Sequence, residues 1–189
     1  MRVIRDHQIL TVMALAVVVS LVLVTSDTSL AQERKKISWS SKPENSKVTV
    51  QHNLEIPDTA GHIIRISELR RSWPDGSGPA IEGRKVLEEI NRSVTDAIAG
   101  NGKTSGYWHW RFENGDQMFG EYQLTSQAVA GAERARKTTY LGTSTTTGAT
   151  GAFKGIKALG KFAGASEWDA EGKLVGTQAS NEAEYWFEQ

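Results

Sequence analysis

Apolar and polar residues alternate with a period of two along several stretches, the pattern of half-buried strands. Residues 47–54 place Val48, Val50, His52 and Leu54 on one face. Residues 62–69 place Ile64, Ile66 and Glu68 on one face and Ile63, Arg65 and Ser67 on the other. The clearest alternation runs through residues 106–122, which read as a β-hairpin. Aromatic residues favour a pleated, half-buried surface, and Asn114-Gly115 supplies the positive φ of a tight turn. A two-residue turn there sets Phe112 opposite Gln117, Trp110 opposite Phe119 and Trp108 opposite Glu121; a four-residue loop keeps that register. One face is then Trp108, Trp110, Phe112 and Phe119, and the other is Tyr107, His109, Arg111 and Met118.

Residues 81–98 fit two periods. Val86, Leu87, Ile90, Val94, Ala97 and Ile98 form a helical stripe. As a strand, Val86, Ile90, Val94 and Ile98 share a face with Glu88, Arg92 and Asp96. Periodicity alone prefers the helix. Further strands are expected at 136–147, 162–168 and 173–187, with turns at 41–46, 56–61, 73–79, 99–103 and 169–172. Residues 37–40 alternate too briefly to define a strand. Many short strands between turn signals predict an all-β barrel or sandwich.

The N-terminus changes the picture of where the folded part begins. Arg2 and Arg5 precede an apolar run over residues 9–24, and Ser29 and Ala31 are the small residues a signal peptidase requires. Cleavage after Ala31 is expected. The apolar run is short for a membrane span of about 20 residues, so no stable membrane anchor is expected. The reading divides the chain into a signal peptide over 1–31, a mobile lead-in over 32–46 and one domain over 47–189. It implies an exported protein, periplasmic or extracellular. Charge is balanced at 22 basic and 22 acidic residues, which gives no electrostatic reason to expect nucleic acid as partner. There is no Cys, so neither disulfides nor thiol chemistry contribute.

Chemical motifs are sparse. His52, His62 and His109 lack helical metal-ligand spacing, and no metal site is expected. No Gly-x-Ser-x-Gly elbow occurs. The glycines at 148, 151, 155 and 160 have neither dinucleotide nor phosphate-loop spacing, and no cofactor is expected; they suit corners of a closed sheet. Asn91-Arg92-Ser93 matches a glycosylation sequon.

Asp96, Gly100, Gly102, Gly106-Tyr107, Asn114-Gly115-Asp116 and the run from Gly148 to Ile156 resemble the pattern of the allene oxide cyclase and dirigent type of β-barrel. They are most similar to small exported bacterial proteins of that type with no assigned activity. The resemblance spans roughly residues 81–165. It implies a single closed or nearly closed antiparallel barrel, with a strand over 85–98 against the helical periodicity. We follow the resemblance there. It carries over no catalytic residue, and none is assigned.

The expected function is therefore binding of a small apolar or aromatic ligand in the barrel mouth. Its expected walls are Trp108, Trp110 and Phe119, with Glu121 on the same face near the mouth and Asp96 before the glycine turn. The alternatives are a cyclase-like enzyme that steers a reaction by shape, using Glu121 or Asp96, and a structural envelope protein with a filled barrel. An oligomer is compatible with each.

Overall fold

The computed structural model describes residues 33–74, 76–129 and 136–188. The expected signal peptide lies outside the described residues. Residues 34–189 form one compact unit. Among the described residues there are ten strands, β1 (Lys35–Ser41), β2 (Ser46–Glu55), β3 (His62–Ser72), β4 (Ala80–Ile81), β5 (Arg84–Ile98), β6 (Asn101–Phe112), β7 (Gln117–Ala128), β8 (Lys137–Ala149), β9 (Ile156–Trp168) and β10 (Leu174–Phe187). The strands pair antiparallel in the order β1-β10-β9-β8-β7-β6-β5-β3-β2, with β4 on β5. Apart from short 3-10 turns the described residues are all-β, as expected.

The sheet curls until its ends approach, but β2 and β10 share no ladder. β1 pairs with β10 only from Tyr185 to Ala179. Beyond that point β2 comes alongside, and one side chain bridges the gap. The Gln51 amide donates to Gly172 O (2.9 Å) and accepts from Leu174 N (3.1 Å), as a paired peptide group would. The barrel is nearly closed.

Two expectations are corrected here. Residues 35–41 fell within the expected lead-in but form β1, so the barrel begins before residue 47. The hairpin register is shifted by one. Phe112 N donates to Asp116 O and Gly115 N to Phe112 O, which makes a three-residue loop with Gly115 at φ 87. That loop type ends in a glycine bulge. An odd loop turns over the whole returning strand. Trp110 therefore pairs with Met118, His109 with Phe119, Trp108 with Gly120 and Tyr107 with Glu121. Phe119 and Glu121 lie on the outer face.

Residues 84–98 are strand throughout, as the resemblance implied. Ala99 and Gly100, both at positive φ, form its tight turn into β6. The polarity of this flank is inverted. Val50, Leu54, Ile66, Val94 and Ile98 are exposed on the outside. Glu89, Asn91, Ser93, Thr95 and Ala97 face the interior, opposite Ile63, Arg65, Ser67, Leu69 and Arg71 of β3.

One end of the barrel is closed by an apolar floor. Trp73, Ile81, Val86, Phe112, Met118, Phe153, Ile156 and Tyr185 pack there as a buried cluster. Phe153 comes from the 3-10 turn Gly151–Phe153 and stacks on Phe112, with ring centroids 4.2 Å apart. Asp116 fixes that turn by accepting from Ala152 N (3.0 Å). The turns at 56–61, 99–100 and 169–173 stand at the other end.

Candidate functional site

Above the floor the barrel is hollow. The cavity measures about 1080 Å³ and takes wall residues from both flanks. Pairs of rings and glycines explain why it stays open. A Cβ at Gly120 would strike the Trp108 indole, one at Gly106 the Tyr122 ring, one at Gly142 the Phe162 ring and one at Gly164 the Tyr140 ring. Each ring lies flat on the glycine of the neighbouring strand instead of reaching across the lumen. Such pairs also pin register.

The lower part of the cavity is aromatic. Trp110 packs edge-on against Trp39 at 5.2 Å and tilted against Trp108 at 5.4 Å between centroids. Trp108 is 9% and Trp110 6% exposed. Of the three expected wall residues, Trp108 and Trp110 thus border the cavity, but in its closed half and not at the mouth. Trp39, from the segment expected to be a lead-in, completes the group.

Beside these rings is a buried polar group that sequence reasoning did not single out. Arg71 Nη1 donates to Glu89 Oε1 at 3.1 Å, and Asn91 Nδ2 donates to the same oxygen at 2.7 Å. The Arg71 and Glu89 side chains are 11% and 9% exposed. Tyr122 stands close by, next to Ser93. Burial pushes its phenol up, opposed by the Ser93 hydrogen bond and the Arg71 charge. The alternation that reveals this face is Glu89, Asn91, Ser93, Thr95, Ala97. It is hidden by the stronger apolar stripe on the opposite side of β5. The sequon's Asn91 is buried on this inner face.

Nearer the mouth, polar groups satisfy one another. Ser67 and Ser93 hydroxyls are 3.0 Å apart, Thr95 and Thr104 hydroxyls 2.8 Å, and Trp168 Nε1 donates to Thr138 at 3.2 Å. Arg65 lies over the Trp168 ring at 4.0 Å and donates to Asn53 Oδ1 at 2.9 Å. Burial brings its guanidinium down to about 10, so it stays charged at neutral pH.

The remaining expected residues lie outside. Phe119 packs beside His109 on the outer face, with centroids 6.2 Å apart. Glu121 is exposed next to Tyr107. Asp96 is exposed and its Oδ1 is 2.9 Å from His62 Nε2, while His62 Nδ1 meets Asp58 Oδ1 at 2.6 Å. His62 belongs to an outer clamp, not to the cavity. Among the described residues no group of His, Asp and Glu has the geometry to hold a metal ion.

The fold and cavity define an all-β, nearly closed antiparallel barrel with a hollow, partly aromatic interior. No family model and no curated protein matches the chain. Among solved structures it is similar to the pterocarpan synthase dirigent protein, at 10% identity over 87% of this chain and 94% of that one, with a TM-score of 0.42.

Proposed function

We propose that the barrel interior binds a small apolar or aromatic molecule. The observation that carries this reading is the cavity of about 1080 Å³ walled by Trp39, Trp108, Trp110, Tyr122 and Phe162. It is large enough for a drug-sized ligand, and aromatic walls with a few polar groups are how such sites are built. A cavity of that size speaks against the structural reading, which needs a filled barrel. The position of Glu89 gives the shape-steering alternative a better carboxylate than Glu121 or Asp96, because it lies inside. The basic, apolar and small-residue order of residues 1–31 supports reading this as binding by an exported protein.

The test is a fluorescence titration with N-phenyl-1-naphthylamine, an apolar probe that brightens on leaving water. Saturable binding to the wild type is expected, weakened in Trp108→Ala by more than the loss of thermal stability explains. Absence of probe binding, or affinity untouched by Trp108→Ala, contradicts the reading. Mass spectrometry of ligand recovered from the protein separates the alternatives: unaltered ligand supports a binding module, and a rearranged product supports the enzyme.

A further inference from the structure

The polar groups of the cavity fall into two sets. Near the mouth they are mutually satisfied, in the Ser67–Ser93 and Thr95–Thr104 pairs and in the Trp168–Thr138 bond. In the closed half they are not. Trp39 Nε1, Trp108 Nε1 and Arg71 Nε are buried N–H donors without a protein acceptor, and Glu89 Oε2 is a buried acceptor without a donor. All four side chains border the cavity. Buried polar groups are normally paired, and each exception calls for a reason. The Thr146 hydroxyl on the same wall is also unpaired, while Ser41 Oγ and Trp73 Nε1 are unpaired away from the cavity; among the unpaired groups that border the cavity, N–H donors outnumber acceptors.

We infer that the ligand carries an uncharged carbonyl-type oxygen, which sits at the level of Trp39, Trp108 and Arg71, with its apolar body toward Leu124 and Phe162. This rests on the ligand-binding reading and names the chemical class that the site takes. A carbonyl oxygen has two lone pairs and accepts from two of the waiting N–H groups. An apolar ligand leaves all of them unpaired. A carboxylate would satisfy the donors but would bring a second negative charge into a buried site that already holds Glu89, where Arg71 neutralises only one. A ketone, aldehyde, ester or amide meets both conditions.

The experiment displaces N-phenyl-1-naphthylamine from the wild-type protein with three ligands of matched ring and size: 2-ethylnaphthalene, 2-acetylnaphthalene and 2-naphthoate. The ketone is expected to bind about tenfold more tightly than the hydrocarbon, the scale of one or two buried donors gaining an acceptor, and the carboxylate most weakly. Trp108→Phe and Trp39→Phe keep a ring and remove one N–H each. Either one is expected to lower ketone affinity by more than hydrocarbon affinity, and so to reduce the ketone-to-hydrocarbon ratio. The wild-type series stands even if one variant fails to fold. Equal affinity for ketone and hydrocarbon, or tightest binding of 2-naphthoate, overturns this inference and leaves the ligand-binding reading intact. Failure of all three ligands and of the probe to bind overturns both.

Discussion

At the scale of single residues, the interior depends on a few substitutions of size and charge that tolerate little change. Gly120 is the site at which the Trp108 ring is laid down, and a methyl group there meets both the indole and Thr145 O. Arg71 and Glu89 are a buried pair in which Arg71 Nε and Glu89 Oε2 have no protein partner. Breaking such a pair strands a charge in a poorly solvated place, whereas replacing both partners by apolar groups removes the need for either. Glu89→Ala is therefore expected to lower stability by about 3 to 5 kcal/mol. The double variant Arg71→Met with Glu89→Leu is expected to recover most of that loss. Chemical denaturation of the three proteins measures both differences, and a double variant as unstable as Glu89→Ala would show that the pair contributes more than mutual neutralisation.

At the scale of elements, His62 joins two of them. It stands at the start of β3 and meets Asp58 of the preceding turn and Asp96 of β5. The two carboxylates favour the charged ring, so its pKa is raised above 6.5, first by the hydrogen bond with Asp58 and then by that with Asp96. A raised folded-state value means that the clamp's stabilisation is complete below about pH 6.5 and is lost as pH climbs through the folded value. Glu68 works in the opposite direction. Thr49, Arg70 and Arg92 hold it down to about 2, so its contribution fades as pH falls from about 4.5 toward 2. Thermal unfolding followed from about pH 5 to pH 9 is expected to show a decline on the alkaline side that His62→Gln abolishes. A decline of equal size in the variant would assign it to another group. These elements also show what the chain makes legible. The Asn114-Gly115 pair announces the hairpin, but its register depends on Gly115 closing a three-residue loop and on Asp116 being engaged by Ala152 N, a residue far along the chain. That tertiary contact is invisible locally, and it is why Phe119 and Glu121 were expected inside. β5 misleads for a different reason. Ile90, Val94 and Ile98 point outward while Glu89, Asn91, Ser93 and Thr95 point into the lumen, so the strongest periodic signal lies on the face that does not build the site.

At the scale of the whole molecule, the barrel is a cup. Its floor is the Phe112–Phe153 cluster, and its wall is kept thin by rings lying on glycines. Its seam is bridged by the Gln51 side chain where the backbone ladder stops. The apolar sequence that would fill a solid barrel is divided between the floor and the outside of β2, β3 and β5. Trp39, Trp108 and Trp110, with Tyr122 and Phe162, are left as the aromatic lining of a space that also takes polar groups from β3 and β5. The central claim is that this space receives a ligand, and the indole N–H signals of Trp39 and Trp108 in a nitrogen-15 correlation spectrum report on it most directly. On titration with 2-acetylnaphthalene both signals are expected to move downfield in a saturable way, while the backbone signals of the exposed Leu141 and Val175 stay fixed. Shifts confined to the outer face, with the two indoles unmoved at saturation, would contradict the account.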